Sequence, residues 1–111
     1  MYETKLDTSA LAWSPMASGI SSKILQQVES TGGMTGMTRL EAGSSIPAHS
    51  HTHADQTVFV LEGDLRDDGV SYGPGSFFVV KAGSPHGPHH TSGGCVLLTT
   101  YSGPPDFVPV G

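Results

Sequence analysis

The residues of this chain best suited to chemistry are its six histidines, which fall in two groups: His49, His51 and His53, then His86, His89 and His90. In an extended chain alternate side chains share a face, so His49 and His51 present two imidazoles to one point in space. Neutral imidazoles bind divalent transition metals, and a metal held that way can acidify bound water or polarise a carbonyl. An isolated His-x-His reads more readily as a solvated polar edge, because so short a motif carries little information. What raises the metal reading is position: the pair leads into the strongest strand pattern of the chain, and His86 follows another. Two distant ligand sources joined by short strands are what a rigid β-barrel interior can supply.

The elements that would hold these groups are strands. Thr57 to Glu62 is β-branched and aromatic and is closed by Gly63 and Asp64. Asp67, Asp68 and Gly69 form a hairpin tip, since Asp-Gly supplies the positive φ of a tight turn. Tyr72 to Gly75 makes a second turn, Ser76 to Val80 a strand, Ala82 to Ser84 a turn, and Cys95 to Tyr101 a last strong strand. Upstream, Met34 to Glu41 alternates as a strand, while Lys23 to Glu29 fits a short strand or one helical turn. Repeated short strands of this kind make a sandwich or barrel, so the expected class is all-β.

A chain of 111 residues suits one core. The expected layout is one domain over 1–111: an N-terminal arm over about residues 1–20, a barrel over about 21–102 and an extended tail over about 103–111. Fifteen glycines and eight prolines favour turns over helices, and charged residues make up only 14% of the chain. The formal charge is -5 and the five basic side chains are scattered, so no nucleic-acid partner is expected. No apolar run is long enough for a membrane helix, and the N-terminus lacks a signal-peptide layout. A single cysteine, Cys95, sits in an apolar strand and reads as a buried, inert thiol in a reducing, cytoplasmic setting. Trp13 has no evident place within one barrel, and bare sheet edges invite pairing, so a homodimer is expected. Asp67 and Asp68 resemble a carboxylate pair but read as a solvated hairpin tip. Tyr101, Phe59, Phe77, Phe78 and Met37 are candidates to line the interior.

The spacing of these residues resembles the two motifs of the cupin superfamily. The first, G-x5-H-x-H-x4-E-x6-G, is matched by Gly43, His49, His51 and Gly63, with Gln56 in place of the usual Glu. The second, G-x5-P-x-G-x2-H-x3-N, is matched by Gly75, Gly83 and His86, with Lys81 at the Pro position and His90 at the Asn position. The resemblance implies a double-stranded β-helix, or jelly roll, with one divalent transition metal (Fe, Zn, Ni, Cu or Mn) held by His49, His51 and His86. Gln56 stands where the family's carboxylate ligand stands. In this register His53 and His89 fall at the pocket rim or behind the ligands, and His90 is open between structural and functional roles.

Three imidazoles and a neutral amide leave the charge of a cation uncompensated, which makes it a stronger Lewis acid. The 2-His-1-carboxylate set of many non-haem iron oxygenases is absent. The segment from Val60 to Phe107 resembles the cupins that include the metal-binding domain of zinc-dependent anti-sigma factors, whose relatives include three-histidine dioxygenases of β-diketones and hydroxyacetophenones. That resemblance implies iron-dependent oxygen chemistry on a small diketone or hydroxyketone. Cupins with Gln at the carboxylate position also resemble sugar-acid ketonising enzymes and polyketide cyclases, implying a non-redox lyase, isomerase or cyclase. A zinc-bound sensor module without catalysis is the third reading.

Overall fold

Alternation of inward and outward side chains decides how this chain folds, and the computed structural model, which describes residues 1–110, is all-β apart from one turn of 3-10 helix at Thr8–Ala10. Twelve strands follow in order: β1 (Ser14–Ala17), β2 (Ile20–Val28), β3 (Gly33–Leu40), β4 (Ser45–Ile46), β5 (His49–Ser50), β6 (Gln56–Gly63), β7 (Leu65–Asp67), β8 (Val70–Tyr72), β9 (Phe77–Val80), β10 (His89–His90), β11 (Cys95–Tyr101) and β12 (Val108–Pro109). β1, β2, β3, β11, β6 and β9 form one antiparallel sheet, and β4, β10, β7 and β8 a second. β12 pairs with β5. This is the jelly roll expected from the sequence, with Lys23 to Val28 in strand β2 and Glu29 in the turn that follows.

The core lies between the two larger sheets. Leu40, Val58, Val60, Cys95 and Leu97 come from the six-stranded sheet, Leu65 comes from the facing one, and Ile20, Ile46 and Phe78 pack against them. On β6 the inward positions are Gln56, Val58 and Val60, so period two places Phe59 outward. Phe59 and its cross-strand neighbour Phe77 are 38% and 61% exposed, and neither lines the interior. Of the aromatic candidates only Phe78 and Tyr101 do so. Met37, paired with Leu98 on the same outward parity, does not.

Two turns show why glycine is needed. Asp68 and Gly69 have φ of 50° and 76°, the doubly left-handed turn that a two-residue hairpin requires between β7 and β8. Gly63 has φ of 77°, and a Cβ there would lie 1.9 Å from the Gly94 carbonyl, so β6 can pass into β7 only without a side chain.

The N-terminal arm lies along the outer face of the larger sheet. Trp13 sits between Lys23 and Arg39, whose charged groups lie 4.5 and 4.6 Å from its ring centre, and Lys23 Nζ donates to the Thr8 carbonyl at 2.8 Å. β1 adds an edge strand to β2. Trp13 therefore has a place within its own chain, which the sequence did not disclose. No helix among the described residues is long and apolar enough to cross a membrane.

Candidate metal centre

Main-chain hydrogen bonds bring the two histidine groups together. His49 and His86 form a β-bridge in which each N–H donates to the other's carbonyl, at 3.0 and 2.9 Å. Gly83 N–H donates to the His51 carbonyl at 2.7 Å. The turn after β9 is further tied to the start of β6, where Asp55 Oδ1 accepts from Ala82 N–H at 2.9 Å. The ligand-bearing backbone is thus set by sheet geometry and its tight turns.

On this frame three imidazoles converge. One ring nitrogen from each of His49, His51 and His86 lies within 4.8 Å of the other two, and His49 and His51 are buried. Ring centres are 4.9 Å apart for His49 and His51, 4.2 Å for His49 and His86, and 5.3 Å for His51 and His86. His49 Nδ1 donates to the Pro47 carbonyl at 2.7 Å, and His51 Nδ1 donates to the Asp106 carbonyl. Each bond fixes the tautomer and leaves Nε2 as a lone-pair donor, the usual outer support of a metal-bound histidine.

Burial, then the neighbouring His49, His89 and His51, push His86 down from 6.5 to about 4. Burial also lowers His49, with a smaller push from His51 and an opposing pull from the Pro47 carbonyl. Both rings are therefore neutral at physiological pH, as ligands must be.

The donor set tests whether a cation fits. His51 Nε2 faces Gln56 Oε1 at 3.0 Å, and Gln56 Nε2 donates to the Tyr101 hydroxyl at 3.1 Å. With Nδ1–H of His51 committed to Asp106, both facing atoms offer lone pairs. They repel unless the amide turns over or a cation stands between them, and the convergent imidazoles supply the place for one. His86 Nδ1 is likewise buried with no hydrogen-bond partner. The residues fit a divalent metal.

The centre opens on a cavity of about 710 Å³ walled mainly by apolar groups, among them Ile20, Val58, Phe78, Leu97 and Phe107, with Tyr101 and Thr99 beside Gln56. His89 and Asp67 also line it, with His89 Nδ1 3.3 Å from Asp67 Oδ1. Burial lowers the pKa of His89 against the opposing charge of Asp67. Asp67 and Asp68 thus part company: Asp67 closes the last pair of β7 and turns to the cavity, whereas Asp68 occupies the turn itself. His53 is exposed and takes no part. His90 is exposed too, its Nδ1 3.0 Å from Ser45 Oγ across the β4–β10 pair. Cys95 is buried, and burial raises its thiol pKa.

Two groups at the site carry no side-chain signal in the sequence, the Asp106 carbonyl and the Phe107 ring, which stacks on His49 at 4.4 Å and 22°, while Asp67, expected at a solvated hairpin tip, lines the cavity instead. The first acts through its backbone, which no side-chain pattern reveals.

A jelly roll whose two strand-borne histidine groups meet at the mouth of its own apolar interior defines a cupin of the metal-site type. The chain belongs to the family of ChrR cupin-like domains, whose pattern it matches over residues 2–104. Among solved structures it is similar to an acetylacetone dioxygenase from Acinetobacter johnsonii, with 21% identity, TM-score 0.81, and coverage of 96% of this chain and 78% of that one. It is similar to the polyketide cyclase RemF from Streptomyces resistomycificus, with 19% identity, TM-score 0.73, and coverage of 99% and 87%. It is also similar to the complex of Rhodobacter sphaeroides SigE with the anti-sigma ChrR, with 20% identity and TM-score 0.69; 85% of this chain matches half of that one. At these identities the likeness shows the fold. No curated protein matches the chain.

Proposed function

We propose that the protein is a metal-dependent cupin enzyme that holds one divalent metal through His49, His51, His86 and Gln56 and acts on a small diketone or hydroxyketone as a dioxygenase. The observation that carries this reading is the pairing of three convergent imidazoles with a largely apolar cavity whose described lining includes no lysine or arginine. A carboxylate substrate would find no cationic partner there, whereas an uncharged molecule with two adjacent oxygens would lay its carbon skeleton against Val58, Phe78 and Leu97. When bound, Fe(II) would supply Lewis acidity and one-electron chemistry toward O2.

The chain's own groups do the rest. Gln56, oriented by Tyr101, adds a neutral donor and so leaves the cation's charge for the substrate. The apolar walls exclude water. The Asp67–His89 pair stands where a proton leaving an enolising substrate can be held.

A second reading, a non-redox lyase, isomerase or cyclase, is favoured by the same neutral donor set and by the full-length likeness to a polyketide cyclase. The protein is further proposed to work in the cytoplasm, and as a homodimer in which the two copies cover outward Phe59, Phe77 and Val79.

Oxygen-electrode assays of Fe(II)- and Zn(II)-loaded protein with a panel of neutral β-diketones and hydroxyaryl ketones separate these readings. Substrate-dependent O2 uptake in the iron form alone is expected, because Zn(II) has no redox chemistry. Anaerobic turnover supported by Zn(II), without O2 uptake by the iron form, would establish the second reading instead.

A further inference from the structure

The chain beyond Pro105 touches the metal centre at every step. Asp106 accepts from His51 Nδ1 through its carbonyl and from Thr52 N–H through Oδ1, the latter at 2.6 Å. Phe107 stacks on the His49 ring and forms part of the cavity wall. β12 pairs with β5, the strand that begins at His49, in the register Val108 to Ser50 and Pro109 to His49. Val110 N–H donates to the Ala48 carbonyl at 3.1 Å. Two of the three histidines are therefore oriented by this segment.

The segment gains little else by lying there. Phe107, Val108 and Val110 are 51%, 42% and 50% exposed, and none belongs to the core. Apolar burial alone is a weak force for docking it. Its position rests on one short strand pairing and on contacts with the groups that surround the centre.

We propose that residues 106–110 are a positioning strap belonging to the metal site, and that docking of the strap and binding of the metal are a single coupled equilibrium. Asp106 selects the His51 tautomer that leaves Nε2 free, and Phe107 fixes the plane of the His49 ring. A bound cation locks both rings in the orientation the strap recognises. By linkage, the factor by which strap docking tightens metal binding is the factor by which metal tightens strap docking. This rests on the metal reading of the three histidines and not on any substrate.

The test uses the full chain, Zn(II) as probe, and two readouts: affinity by competition with a chromogenic chelator, and hydrogen exchange of the Val110 amide with and without Zn(II). Zn(II) is expected to slow Val110 exchange by about tenfold or more, and Phe107→Ala to weaken Zn(II) binding by about tenfold, the range for lost outer support of a ligand. Phe107→Tyr should restore both, and the visible spectrum of the Co(II) form should change in Phe107→Ala and return in Phe107→Tyr. Phe107 lies outside the core, so thermal melting of the metal-free variant should match the parent. If the parent binds Zn(II), but Phe107→Ala binds it equally well and Val110 exchange ignores the metal, the strap is an ordinary tail. If the parent itself binds no Zn(II), the metal reading falls and the strap with it.

Discussion

The two ends of the barrel interior use the same strands for opposite purposes. On β6 the inward positions run Gln56, Val58, Val60, and on the adjacent β11 they run Tyr101, Thr99, Leu97, Cys95. One end is polar and opens on the cavity. The other is closed by Leu40 and Val60, each no more than 1% exposed. Alternation alone decides which residues face inward; position along the strand decides whether an inward residue packs or does chemistry. The site end offers three imidazoles, an amide and a phenol little apolar contact, so the closed end must carry the stability that holds them in place.

This division can be broken at either end. Leu40→Ala at the closed end should cost about 2–5 kcal/mol, the range for deleting a buried leucine and leaving a cavity, a large share of a small domain's stability. Denaturant titration of the metal-free protein measures it, and the fraction still folded should bind metal with unchanged stoichiometry. His86→Ala should do the reverse. Metal-free stability should change by about 1 kcal/mol or less, because the buried Nδ1 it removes has no partner. Zn(II) affinity should fall by about 100-fold or more, and the rise in melting temperature with Zn(II) should vanish.

Acid sharpens the same contrast. His86 titrates near 6.5 when exposed and is held at about 4 in the fold, and burial lowers His49 and His89 as well. Between those two values the unfolded chain takes up protons that the folded chain refuses. Metal-free stability should therefore fall as pH drops from 6.5 toward 4, and the dependence on this ring should end below about 4. In His86→Ala the slope over that interval should be shallower. Denaturant midpoints collected at half-unit steps of pH decide it.

The smallest effect belongs to the outer surface. Phe59→Ala should change monomer stability by about 0.5 kcal/mol or less, although the side chain is aromatic and in the strongest strand, because it faces away from both ends of the interior. The corresponding change at inward Phe78 should be several times larger.

Much of this organisation is legible in the residues. Runs of β-branched, aromatic and other apolar residues mark β6, β9 and β11, Asp68-Gly69 marks the hairpin, and the spacing of His49, His51 and His86 picks out the three side chains that the fold does place side by side. Parity was available as well: with Gln56 inward, Phe59 must point out, so its hydrophobicity is a poor guide to its place. Other features leave no trace. Trp13 lies in a stretch without periodicity, and its seat between Lys23 and Arg39 depends on two strands distant in sequence. Asp67 and Asp68 are identical in type and adjacent, and only the strand end at Asp67 separates a cavity group from a turn residue. The tail is masked by Pro104, Pro105 and Pro109, and it serves the site through a carbonyl and one ring.

Binding of one metal by His49, His51 and His86 together has a direct spectroscopic signature. X-ray absorption at the zinc edge of protein loaded with one equivalent of Zn(II) tests it most directly. Three imidazole nitrogens at about 2.0–2.1 Å, with oxygen donors in the same shell and the outer-shell scattering of the imidazole rings beyond it, are expected, with the imidazole signal unchanged in His53→Ala and reduced in His86→Ala. A spectrum with one imidazole or none, or one indifferent to His86→Ala, would contradict it.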